Sequence, residues 1–256
     1  MALTLYNAPQ STCSQRVRFA LNAKRLPFAE IKLDLLAGDQ LKPDYLKLNP
    51  NGVVPTLEHD GAIIIDSSVI IEYLDEIVPE PECFTPGTPV ERAKMRALMR
   101  FIDEMPAAAV RVPTFNLAFL PRFQAMSEEE FTAFANAKPL RREFMLAMGR
   151  NGFSQAEMDA ALGRLRRTLE RMADAIAASG GPWLMGARPT LADVAVMPAI
   201  VRMADLGLDK MWAQMPEIGH WHNAIRAHPA YAPTYYPGSL LSERFPHLRD
   251  RAALSA

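Results

Sequence analysis

Apolar and polar positions follow two different periods along this chain. Leu3-Thr4-Leu5-Tyr6 alternates with the period of two that marks a short strand. From Ser14 to Lys24 the spacing lengthens to that of a helix, with Val17, Ala20 and Leu21 on one face. Phe28–Leu33 returns to the strand period: Ala29, Ile31 and Leu33 share one side, and Glu30 and Lys32 take the other. A strand, helix and strand in succession imply a parallel pair joined by a helical crossover. After a helical piece around Leu41–Leu48, Asn49-Pro50-Asn51-Gly52 marks a turn. Pro55-Thr56-Leu57-Glu58 and Ala62–Ile65, separated by His59-Asp60-Gly61, predict a β-hairpin. Ile70, Tyr73, Leu74 and Ile77 then predict a helix over 67–78.

That order, βαβ followed by ββα, predicts an α/β thioredoxin-like domain over residues 1–80. Pro79, Pro81, Pro86 and Pro89 then exclude a regular helix or a central strand, which places a linker at 81–89. Residues 90–256 predict an all-helical domain ending in a C-terminal tail. Val90–Met105 is a charged amphipathic helix. Met158, Leu162, Leu165, Leu169, Met172 and Ile176 keep a 4-3-4-3-4 spacing, a core-facing stripe that Gly180-Gly181-Pro182 ends. Thr190-Leu191-Ala192-Asp193 opens the next helix as a capping box in which the Thr190 side chain satisfies a free N–H. Its body, Val194–Val201, is apolar nearly all round and is expected to be buried. Residues 106–155 resist assignment: Phe115, Phe119 and Phe123 suggest an aromatic helix face, and Pro106, Pro113, Pro121 and Pro139 bend or break it.

Composition narrows the function classes. With 49% hydrophobic and 22% charged residues, the chain is globular rather than disordered. A net charge of −1 carries no electrostatic footprint for nucleic acid. Apolar runs fall short of the ~20 residues that span a bilayer, so no membrane partner is expected. Two cysteines, Cys13 and Cys83, support neither a disulfide framework nor a cysteine-based zinc site. His220 and His222 would point about 200° apart on a helix and cannot share a metal. No metal is therefore expected. Because the chain opens on a strand pattern without a basic leader, a reduced, soluble, cytoplasmic protein is expected.

Four features of the first domain carry candidate chemistry. Ser11-Thr12-Cys13-Ser14 lies where the first strand gives way to a helix, and free N–H groups and the helix dipole there favour an anion such as a thiolate. Val54-Pro55 precedes a strand, where a cis proline would leave the Val54 backbone free to pair with a peptide-like ligand. Asp66-Ser67 opens a helix with a carboxylate for an ammonium and a hydroxyl plus N–H for a carboxylate, the complement of an α-amino acid end. Gln40 could hold the other end of such a ligand. Each motif alone has a plain structural reading, as a helix cap or a strand-opening proline.

Taken together, these residues resemble the glutathione transferases over about residues 3–230. Asn49-Pro50…Val54-Pro55-Thr56-Leu57, Asp66-Ser67…Ile71-Glu72-Tyr73-Leu74 and Pro189-Thr190-Leu191-Ala192-Asp193 match that family's most specific signatures. The resemblance implies that Val54 pairs with the cysteinyl part of glutathione, that Pro55 is cis, that Asp66 and Ser67 hold the γ-glutamyl group, and that Gln40 contacts the glycyl end. Two bacterial groups look closest. The segment Tyr6-Asn7…Ser11-Thr12-Cys13-Ser14 resembles tetrachlorohydroquinone reductive dehalogenases, in which the cysteine at the Cys13 position is catalytic. The stretch from Ser127-Glu128-Glu129-Glu130-Phe131 to Arg150-Asn151-Gly152-Phe153 resembles β-aryl etherases. The catalytic position is correspondingly open: the theta-class serine falls on Ser11, the dehalogenase cysteine on Cys13, and the etherase-like alignment on Ser14. Tyr6 resembles the activating tyrosine of other classes but lies slightly early.

The resulting expectation is an enzyme with glutathione as cosubstrate, activated as a thiolate for attack on a small, hydrophobic, aromatic electrophile, and assembled as a homodimer through a face that includes Val90–Met105. Three alternatives stand beside it: a Cys13-dependent thiol transferase or glutathione lyase, a reductive dehalogenase, and a non-catalytic interaction module with the same fold. Arg111, Phe115, Phe119 and Phe123 face either substrate or core. Arg141-Arg142 and Arg164, Arg166-Arg167 read as solvated helix faces.

Overall fold

A computed structural model describes residues 1–249. Four strands, β1 (Leu3–Asn7), β2 (Ala29–Lys32), β3 (Thr56–His59) and β4 (Ala62–Ile65), form one sheet in the order β2-β1-β3-β4. β1 and β2 run parallel with Thr4 opposite Ala29, while β3 is antiparallel to both β1 and β4. The β3–β4 turn places Asp60 (φ 49°) and Gly61 (φ 88°) in the left-handed region, the pair of positive φ values that suits a two-residue hairpin loop. β1 buries Leu3, Leu5 and Asn7 as its alternation predicts. β2 does not follow its pattern. It is an edge strand with one neighbour, and Ile31 is 41% exposed.

Helix α1 (Thr12–Ala23) forms the crossover between β1 and β2, α2 (Pro43–Leu48) follows, and α3 (Ser67–Ile77) leaves the hairpin. α1 packs against α3, yet Gln15, Arg16 and Arg18 are also buried. The reason is that its second face meets the helical half. Arg16 donates to the Ser68 hydroxyl (2.7 Å), the Asp103 carboxylate (2.9 Å) and the Ala195 carbonyl (3.0 Å). Arg18 donates to Asn7 Oδ1 (2.6 Å) and to the carbonyls of Pro9 (2.8 Å) and Thr234 (3.1 Å).

Helices α4 (Pro89–Glu104), α5 (Pro106–Ala109) and α6 (Arg111–Thr114) lead into a π-helical turn at Phe115–Phe119. α7 (Leu120–Gln124), α8 (Glu128–Asn136), α9 (Arg142–Met148) and the long α10 (Gln155–Ser179) follow. α11 (Leu191–Asp205), α12 (Pro216–Ala227), α13 (Tyr231–Thr234) and α14 (Leu241–Arg244) complete the described chain. Pro89, Pro106 and Pro121 each stand in the first turn of a helix, where the missing N–H is one that no helix bond would have used. Along α10 the stripe is buried from Leu165 to Ile176, whereas Met158 and Leu162 near the start are half-exposed. Every residue of α11 from Leu191 to Met203 is buried. The capping box expected at its start is present, and Thr190 donates both its N–H (2.8 Å) and its hydroxyl (3.0 Å) to the Asp193 carboxylate.

The main apolar core is continuous between the two halves, with Leu5, Phe19 and Ile70 in the same cluster as Met95, Met99 and Trp221. Phe84, 1% exposed, plugs the connection, its N–H on Asp75 (3.1 Å) and its carbonyl accepting from Leu191 (3.2 Å). A buried Lys24–Asp75 ion pair (2.6 Å) lies beneath it, Lys24 also donating to the Val78 carbonyl (2.6 Å). Residues 115–153 carry a smaller core of their own around Phe123, Phe131, Met145 and Met148. Among the described residues, no helix is long and apolar enough to cross a membrane.

Candidate functional site

The site begins where β1 ends. Ser11 caps α1, its hydroxyl oxygen accepting from the Ser14 N–H (3.3 Å). That leaves the hydroxyl proton free to donate, beside the positive end of a twelve-residue helix. Ser11, Thr12 and Cys13 line a cleft of about 240 Å³ between the two halves of the molecule. Val54 and Gln40 line the same cleft. Val54 is 7% exposed and, among the described residues, its backbone N–H and C=O have no hydrogen-bond partner. The Val54–Pro55 peptide bond is cis. Gln40 is also buried, and its Oε1 has no partner among the described residues. A buried, unpaired amide oxygen and an unpaired stretch of backbone on one cleft wall suit a peptide-like ligand that carries its own donors and acceptors.

Other sequence-selected residues lie outside the cleft wall. Ser14 is fully buried and its hydroxyl accepts from the Ala8 N–H (3.3 Å), so it braces the loop that precedes Ser11. Asp66 is exposed at the start of α3, held at φ 71° while its carboxylate accepts from the N–H groups of Ser68 (2.8 Å) and Val69 (3.3 Å). A non-glycine residue in that region is strained, a condition that recurs at ligand sites. Ser67 is buried behind it and accepts from Arg16 (3.3 Å). Tyr6 donates to Glu58 (3.1 Å); burial and that carboxylate hold its phenol above the usual tyrosine range, so it makes a poor thiol activator.

The opposite wall is aromatic and cationic. Phe115, Phe119, Phe123, Phe134 and Phe144 line it, with Phe115 edge-on to both Phe119 and Phe144 at 5.1 Å. The π-helical turn widens the backbone there, as single π turns often do at functional sites. Arg111, Lys138, Arg141, Arg202 and Arg244 also line the cleft, and no Asp or Glu does among the described residues. Burial, with Arg141 adding to it and Cys13 opposing, brings Arg111 down to about 10. Burial and the charge of Arg122 bring Lys138 down to about 8.

Sequence reasoning left Arg111 and the phenylalanines open between substrate and core; they line the cleft. Arg141 it took for a solvated helix face, and the cleft wall corrects that reading. Lys138, Arg202 and Arg244 it missed altogether. For Arg202 a signal was present: one guanidinium inside the apolar run 191–203. The C-terminal segment closes one side, Arg244 pairing with Asp34 (3.0 Å) and Gly238 accepting from Gln10 (2.5 Å).

Comparison with known proteins places this architecture. Family models of the glutathione S-transferase N-terminal and C-terminal domains match residues 5–82 and 155–250. The chain is 32% identical to a maleylacetoacetate isomerase of Aspergillus fumigatus, over 77% of this chain and 75% of that protein. It is 28% identical to LigF of Sphingobium sp. strain SYK-6, over 90% of this chain and 91% of that protein. The crystal structure of β-etherase LigF superposes with a TM-score of 0.81 at 27% identity, covering 92% of this chain and 99% of that one. The chain belongs to the glutathione S-transferase family, and is an enzyme of glutathione-dependent transfer built on a thioredoxin-like domain and a helical domain.

Proposed function

We propose that Ser11 activates glutathione as a thiolate for attack on an aromatic electrophile held against the phenylalanine wall. One observation carries this reading: a single cleft joins the amino end of α1, with the free Ser11 hydroxyl, to five phenylalanines within residues 115–144 and to Phe245. The Ser11 hydroxyl donates to the sulfur and the helix end favours its negative charge, while the thiol proton passes to solvent. Val54 pairs with the cysteinyl backbone, Asp66 and Ser67 receive the γ-glutamyl group, and Gln40 and Lys138 receive the glycyl end. The sulfur lone pair forms the new S–C bond as the leaving group departs with the electrons of the bond it breaks.

The likeness to a β-etherase over nine-tenths of the chain favours an aryl ether, with an aryloxide leaving and taking a proton from solvent. A two-fold dimer is part of the proposal, through the face that includes α3 and α4. Two variants test the choice of nucleophile activator. Ser11→Ala should raise the pKa of bound glutathione, read from thiolate ultraviolet absorbance, by about one unit or more, worth ~1.4 kcal/mol. Cys13→Ser should change turnover little. Complete loss of turnover in a folded Cys13→Ser protein, with a mixed disulfide to glutathione in the wild type, would instead establish the thiol transferase or dehalogenase reading.

A further inference from the structure

The cleft is charged in a way that glutathione conjugation does not require. The whole chain is nearly neutral at −1, yet five cations and no carboxylate line this one cavity among the described residues. Two of the five have counter-charges behind the wall: Arg202 lies 3.9 Å from Asp205, and Arg244 lies 3.0 Å from Asp34. Arg111, Lys138 and Arg141 have no ion-pair or side-chain hydrogen-bond partner among the described residues.

These three divide into two groups. Lys138 lies on the β2–α2 side. Its neighbour Pro139 abuts Gly52, and Arg122, whose charge acts on Lys138, donates to the Leu36 carbonyl (2.7 Å). That is the side on which Gln40 awaits the glycyl end of glutathione. Arg111 and Arg141 form the second group. Both line the cleft together with Ser11, Cys13 and the phenylalanine wall, so they share the cavity in which the sulfur would react. Two like charges on one cleft lining, with no carboxylate among its described residues, repel; a bidentate anion relieves that repulsion and satisfies donors of both guanidinium groups.

We infer that Arg111 and Arg141 together receive a carboxylate borne by the substrate, so that the electrophile of this enzyme is an aromatic carboxylate rather than a neutral arene. The ring stacks among Phe115, Phe119 and Phe144, and the carboxylate sets how the carbon that bears the leaving group faces the thiolate. The inference rests on the glutathione reading above, which supplies the sulfur and the place of the glycyl carboxylate.

The test uses unreactive probes on the glutathione-saturated protein, so that the glycyl carboxylate is already seated. Calorimetry with 3-nitrobenzoate and with 3-nitrobenzamide compares ligands of the same ring and shape that differ in charge. The wild type should bind the benzoate at least about tenfold more tightly, and Arg111→Met and Arg141→Gln should each bring that ratio towards one. A wild-type ratio near one overturns the inference. So does a ratio that persists in both variants, or one that persists while Arg111→Met raises the pKa of bound glutathione, which would make Arg111 a partner of the thiolate. Absence of glutathione binding in the same titrations would instead overturn the function proposed above, and is read separately.

Discussion

At Lys138, fold stability and the proposed contact with glutathione pull in opposite directions. Its ammonium sits 3.9 Å from the centre of the Phe134 ring, partly withdrawn from water, and burial has brought its pKa down to about 8 from the ordinary 10.5. A lysine with a depressed pKa in the folded state destabilises the fold in full below that value, and the burden fades as pH rises towards 10.5. Lys138→Met should therefore stabilise the fold at pH ~7 by on the order of 1–2 kcal/mol after allowance for screening in an open cleft, seen as a higher melting temperature, and the gain should shrink towards pH ~10. Glutathione affinity should fall about tenfold in the same variant. Thermal melts at both pH values, with calorimetry at the lower, check the pair; a lower melting temperature at neutral pH would mean that the ring contact outweighs desolvation. In the sequence this lysine looks like any solvated one. Ser11, Cys13, Val54 and Gln40 were legible because helix ends and strand-opening prolines are local features, and each lines the cleft. Lys138 and Arg141 were not, because which way a charged side chain faces depends on what packs around it.

At the scale of elements, legibility followed periodicity. The strands and helices of the first eighty residues are regular enough to be read in order, and so is α11, whose unbroken apolar run marks a helix buried on all sides. Residues 106–155 resisted because their helices are too short to show a period. Of the four prolines read as bending or breaking a helix, Pro106 and Pro121 open α5 and α7, Pro113 lies inside α6, and Pro139 lies in the turn before α9. The phenylalanine spacing runs through a π turn, which shifts side chains off the 3.6-residue register. The start of α11 carries the strongest prediction at this scale. Asp193 is fully buried and accepts from Leu184 N–H (3.0 Å), Thr190 N–H (2.8 Å), the Thr190 hydroxyl (3.0 Å) and Trp221 Nε1 (2.9 Å). Burial pushes its carboxyl pKa up and these four bonds oppose the shift. Asp193→Ala strands three buried N–H groups from three separate segments, and should cost about 3–5 kcal/mol in denaturant unfolding, with Asp193→Asn intermediate. A loss below ~1 kcal/mol would show that water replaces the carboxylate.

At the scale of the whole molecule, the outer face bears on assembly. Val69 on α3 is 48% exposed and Val90 on α4 is 65% exposed, and Arg96 ties the two helices through Glu72 (3.0 Å). A two-fold pairing would bury such side chains against their own copies. Sedimentation should show a dimer at micromolar concentration, and Val69→Lys should shift it towards monomer; a wild-type monomer would overturn the proposal. The continuous core has a different consequence. With Leu5 and Phe19 in one cluster with Met95 and Trp221, and Phe84 plugging the connection, neither half can lose its packing without exposing the other's. Unfolding should then be cooperative across both. The three tryptophans, Trp183, Trp212 and Trp221, all stand in the helical half, so their fluorescence watches that half alone. Hydrogen exchange at the amides of β1 and β3 watches the other. If the shared core couples them, the sheet amides should open with the same free energy that the fluorescence transition reports, and a sheet that exchanges far more readily would show that the two halves unfold apart.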